Sequence, residues 1–137
     1  MRPHQPTMDY EQLTTAIQSL DRDALVALRR AVSHRLSVLE CVKGGIDPEA
    51  VVRTAVEVCG LDALTSRRKE AEVRARMIAA LRLQRAGMRA PNIAPYIGRG
   101  RCDTYHLLAQ MELALVYPSM YPREVRAWEA LLEQYPL

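Results

Sequence analysis

Arg67, Arg68, Lys69, Arg74, Arg76, Arg82, Arg85, Arg89, Arg99 and Arg101 fall within residues 67–106, against three carboxylates, Glu70, Glu72 and Asp103. Nine of these ten cations are arginine, whose planar fork of donors matches a phosphate bidentately. The remaining stretches nearly cancel or are acidic: six basic against five acidic residues over 1–45, one against four over 46–66, and two against four over 107–137. The net charge of +3 therefore conceals a basic middle. A clustered arginine segment is the electrostatic footprint of a nucleic-acid binder. The competing readings are an ordinary solvated helix face, or a basic helix that docks an acidic protein.

Other chemistry is thinly represented. Asp103 and His106 share one helix face, but no Ser or Cys nucleophile or second carboxylate accompanies them, so His106 reads as structural or phosphate-facing. Cys41, Cys59 and Cys102 are odd in number and scattered, which reads as reduced thiols and not as a disulfide framework. They lack C-x-x-C spacing, and His4, His34 and His106 are equally dispersed, so no zinc site is expected. Cys102, beside Arg101 at a helix start, is either a small cap residue or a redox-sensitive thiol. The chain has no G-x-x-x-x-G-K-[ST] loop. These readings exclude a catalytic constellation: the expectation is no enzyme, no cofactor and no metal.

The elements that position these residues are helical. There is no Phe and one Trp, and the apolar residues recur at helical spacing. Residues 1–7 read as a disordered leader. A hairpin over 8–45 follows, with one helix over about 8–19 and a second capped by Asp21 or Asp23. The second carries Leu25, Leu28, Val32, Leu36 and Leu39 and ends at Gly44-Gly45. Asp47-Pro48 opens a third helix. A short helical turn over 61–64 is expected next, then a long helix over about 67–86 capped by Thr65-Ser66. Its apolar set is Val73, Met77, Ile78, Ala80 and Leu81, with arginines on the other sides. Helices over 91–97, 102–116 and 122–135 complete an all-α, multi-helix domain. Tyr105, Leu107, Leu108, Met111 and Leu115 are the expected buried face of the 102–116 helix. His34 is expected on a solvated face, Tyr96 either on a phosphate or packed, and Trp128 and Tyr121 as core or interface anchors.

The pair 91–97 and 102–116 has the spacing of a helix-turn-helix, in which the start of the second helix reaches base edges. Gly98 and Gly100 in the turn permit positive φ. Arg99, Arg101, Asp103, Thr104 and His106 lie at that turn and first turns. Arg101 suits guanine, and Asp103 either accepts from cytosine, orients Arg101 or caps the helix.

Leu64-Thr65-Ser66-Arg67-Arg68, then Arg74-Ala75-Arg76-Met77-Ile78, and Ile93 through Gly98-Arg99 to His106 carry a resemblance. Residues 46–115 resemble the C-terminal DNA-binding domain (domain IV) of the bacterial replication initiator DnaA, a Trp-repressor-like helix-turn-helix. Gly100-Arg101-Cys102-Asp103 stands where that family has its base-reading Asp-His-Thr-Thr, so its target sequence does not transfer. The resemblance implies phosphate contacts from Arg67, Arg68, Lys69, Arg74 and Arg76, and a DNA-binding domain over 46–137 with an extra C-terminal helix. The resulting expectation is a sequence-specific double-stranded DNA-binding protein, a bacterial or prophage-type transcriptional regulator. Replication control and a protein-binding adaptor are the alternatives. Its partners would be DNA and, through the hairpin or the last helix, a second copy or another protein. No run approaches a membrane span, so the expected location is the cytoplasm, associated with the nucleoid.

Overall fold

Asp9 starts the first helix, α1 (Tyr10–Gln18), through a reciprocal cap. Its Oδ1 accepts from the Gln12 amide at 2.8 Å, and its own amide donates to Gln12 Oε1 at 3.3 Å. Asp21 starts α2 (Arg22–Lys43), its Oδ1 accepting from the Ala24 amide at 2.8 Å. Asp47 and Pro48 start α3 (Pro48–Val58). Then come α4 (Glu70–Arg85), α5 (Ala90–Ile97), α6 (Arg101–Val116) and α7 (Pro122–Gln134). The structure is a computed structural model and describes residues 9–137, apart from the side chains of Val42 and Lys43. Among the described residues the chain is all-helical, with seven helices and no strand. The expected leader over 1–7 lies outside the described residues.

The chain divides into two units inside α2, between Ser33 and His34, and not at Gly44-Gly45. In the first unit α1 and the start of α2 bury no described residue. In the second, the C-terminal half of α2 is part of the core. Cys41 is buried in the main apolar cluster, and Ser37 Oγ accepts from Asn92 Nδ2 at 2.8 Å. His34 stacks on Tyr96 with ring centroids 5.4 Å apart, and the Tyr96 hydroxyl lies 3.3 Å from its Nε2. His34 is therefore packed, not solvated, and Tyr96 is engaged by protein.

The second unit is built around α4, which packs against α3, α5, α6 and α7. Ala75, Ala79 and Ala80 let those neighbours approach closely, and Ile78, Leu81 and Leu83 are fully buried. Residues 75–83 are buried all round, which corrects the expected apolar stripe with an arginine-bearing outer surface. Trp128 and Leu131 of α7 complete the core, so Trp128 is a core residue and offers no anchor to a partner. Residues 61–69 are not helical, and α4 begins only after Lys69, without a side-chain cap.

Candidate nucleic-acid interface

Two basic stretches distant in sequence, 67–69 and 99–101, meet at one edge of the second unit. Their meeting is built from α4. Arg76 is 2% exposed, and its Nε–H donates to the Ile97 carbonyl at 2.7 Å. Its Nη2 donates to the Thr65 carbonyl. One buried guanidinium thus ties the loop before α4 to the C-terminal end of α5. Glu72, also buried, holds the same loop: its Oε1 accepts from the Thr65 hydroxyl at 2.7 Å and from the Thr65 amide at 3.2 Å. Thr65 is therefore a loop anchor and not the expected helix cap. Its Oγ1 also accepts from the Arg67 amide at 3.1 Å, which orients the backbone entering the basic run.

Gly98 ends α5 in the left-handed region, with φ 64° and ψ 37°. The amides of Gly98 and Arg99 bond back to the Pro95 and Ala94 carbonyls at 3.4 and 3.2 Å, a glycine-dependent C-cap. Gly100 precedes α6 with φ −75° and ψ 170°, so it does not use the positive-φ freedom expected of it. The bend brings Arg99 back over the other stretch, where its Nη2 donates to the Arg67 carbonyl at 3.4 Å. Arg68 Nη2 lies 3.8 Å from Asp103 Oδ2, both well exposed. A pair this long and this wet contributes little stability, but it places Arg68 beside the first turn of α6.

Of the expected site residues, the structure brings Arg67, Arg68, Lys69, Arg101, Asp103 and His106 to the surface, with Arg99 half-buried among them. Three others are placed elsewhere. Arg76 is committed to backbone carbonyls and is not a phosphate ligand. Arg74 pairs with Glu70 at 2.9 Å and Glu124 at 3.7 Å, with its side chain only 12% exposed, so its charge is already neutralised within the fold. Thr104 is fully buried, and its hydroxyl donates to the Gly100 carbonyl at 2.9 Å, closing the first turn of α6. Arg82, likewise buried, donates to the Tyr135 and Pro136 carbonyls at 2.8 and 2.9 Å and caps the end of α7. Arg85 lies over the Trp128 ring, 5.7 Å from its centroid.

Sequence reasoning missed two contributors. By charge alone Glu72 reads only as an opposing carboxylate, although its spacing of four from Arg76 puts both on one face of α4. Tyr105 was expected in the core but is 53% exposed, one turn beyond Arg101 on the outer face of α6. Leu107, Leu108 and Met111 fill the inner face as expected, joined by Ala114, with Leu115 partly buried against them.

Electrostatically, the Thr65 hydroxyl bond holds the Glu72 carboxyl below its ordinary range, with the Thr65 amide, Arg76 and Lys69 acting in the same direction against burial. Burial pushes the Arg76 guanidinium down from its usual value, and nearby Arg99 adds to this while Glu72 opposes it. Arginine stays charged, so Arg76 contributes a buried positive charge beneath the surface cluster.

Among the described residues, no group of three His, Cys, Asp or Glu side chains is placed to hold a metal. A shallow cavity of about 240 Å³ lies between α3, α4 and α7, lined in part by Cys59, Arg74 and Arg126. Burial pushes the Cys59 thiol above its ordinary value, which disfavours a thiolate there. No described helix is long and apolar enough to cross a membrane. No protein-family model, no curated protein and no solved structure matches the chain.

Proposed function

We propose that the chain binds double-stranded DNA sequence-specifically, with α5 and α6 as a helix-turn-helix and α6 in the major groove. The carrying observation is the convergence of Arg67, Arg68 and Lys69 with Arg99 and Arg101 at the start of α6, held by the buried Arg76–Glu72 anchor. In this reading Arg67, Arg68, Lys69 and Arg99 neutralise phosphates and set register, His106 faces a phosphate, and Arg101 and Asp103 face base edges. Gly100 supplies no side-chain acceptor, so amides of the first turn of α6 remain available to a phosphate. The resemblance of residues 46–115 to the DNA-binding domain of DnaA supports the same assignment. The biological role is regulation of transcription in a bacterium or prophage-type element, in the nucleoid.

Selection of bound sequences from a random duplex pool tests this reading. The expected outcome is a defined site containing a guanine contacted by Arg101. The Arg101→Ala variant should lose about 1–3 kcal/mol of preference at that one position, with the fold intact. A pool that enriches no site contradicts sequence-specific binding. If Arg101→Ala keeps the full preference and loses only overall affinity, Arg101 is a phosphate contact instead.

A further inference from the structure

Within the second unit, α6 is apolar on both of its faces. Thr104, Leu107, Leu108, Met111 and Ala114 form the buried one. On the opposite side Cys102, Tyr105, Ala109, Leu113 and Val116 step by three, four, four and three residues, one straight stripe along the helix. All five are exposed, Tyr105 at 53% and Val116 at 67%. Among the described residues Tyr105 joins neither the core cluster nor a ring pair. A surface helix ordinarily turns a polar face outward, so an apolar outer face calls for an occupant with apolar groups of its own. Charge separates the two ends of the stripe. Its start is flanked by Arg101 and by Arg68 beside Asp103, whereas its far half is flanked by Glu112. The start suits a polyanion that also presents apolar groups.

With α6 in the major groove of DNA, the premise on which this rests, we infer that Tyr105 reads the 5-methyl group of a thymine, with Cys102 and Ala109 facing the same part of the groove. The groove edge of each base offers donors and acceptors, and thymine alone adds a methyl group. Apolar side chains laid on donors and acceptors leave them without partners, which costs affinity. Laid on a methyl group, they bury it and gain affinity. The length of the stripe fits its first half to the groove. Arg101 to Ala109 is eight residues, about 12 Å of helix, and the major groove is about 12 Å wide. Leu113 and Val116 stand beyond it. Tyr105 is four residues, about 6 Å, along the helix from Arg101, so the thymine lies about two base pairs from the guanine that Arg101 contacts.

The test is the affinity of the full chain for duplexes carrying the selected site, with each thymine in turn replaced by uracil, a change that removes only the methyl group. One replacement near the guanine should weaken binding about fourfold. Tyr105→Ala should bind the thymine and uracil duplexes equally, and Tyr105→Phe should keep the preference. Neither variant should change the helical content, and neither should change the salt slope, because a methyl group carries no charge. A site in which no uracil replacement weakens binding, or a preference that survives in Tyr105→Ala, overturns the inference and leaves DNA binding in place. A pool that enriches no site overturns sequence-specific binding and the inference with it. Sedimentation without DNA should be indifferent to Tyr105→Glu. A dimer that this variant dissociates assigns the stripe to a second copy and overturns the inference.

Discussion

Arg76 donates to the Ile97 and Thr65 carbonyls, so its removal strands two acceptors at the base of the basic cluster. Arg68, eight residues earlier, is well exposed, with Asp103 3.8 Å away. Arg76→Ala should therefore cost on the order of 2–4 kcal/mol of stability. Arg68→Ala should stay within about 0.5 kcal/mol of the parent. Thermal and denaturant unfolding read both. Glu72 adds a pH dependence. Its folded pKa lies below its unfolded value, so its stabilisation is present above the unfolded carboxylate range and is lost as pH falls through the folded value. Glu72→Gln should be less stable than the parent at neutral pH, and the difference should shrink in acid. A difference that stays constant from neutral to acid pH would show that the carboxylate charge does not hold Thr65.

At the scale of elements, α2 shows why part of the fold could be read and part could not. Its leucine seam is plain in the sequence and suggested a hairpin separate from the rest. Its packed face is His34, Ser37 and Cys41, which no apolar pattern reveals, and its partners Asn92 and Tyr96 are polar too. The boundary accordingly falls at Ser33 and not at Gly45. A chain beginning at His34 should unfold at nearly the temperature of the full protein. One beginning at Ile46 should melt several degrees lower, because it loses Cys41 from the core and Ser37 from Asn92. Equal melting of the two truncations would contradict the place of α2 in the second unit. The starts of α3 and α7 were legible because Pro48 and Pro122 fix the first turn. The start of α4 was not, since Thr65 bonds forward to Glu72, and that requires the loop to be folded back.

For the whole molecule, the charge count over 67–106 overstates the basic surface. The helical class followed from periodicity. The burial of α4 did not, because arginines at 76 and 82 look like an exposed face until backbone carbonyls are found to accept from them. Besides Arg85 and Arg89, what remains outside is a smaller basic set, Arg67, Arg68, Lys69 and Arg101 with Arg99 half-buried among them, assembled from both sides of that helix. Arg67, Arg68, Lys69 and Arg99 are proposed to hold the phosphate backbone of duplex DNA, with Arg101 at the base edges. The most direct measurement is the affinity for a mixed-sequence duplex from low to physiological salt, for the parent and for Arg68→Ala. Log affinity should fall steeply and linearly with log salt, with a slope reduced by about one unit in the variant. Affinity independent of salt, or an Arg68→Ala slope equal to the parent's, would contradict it.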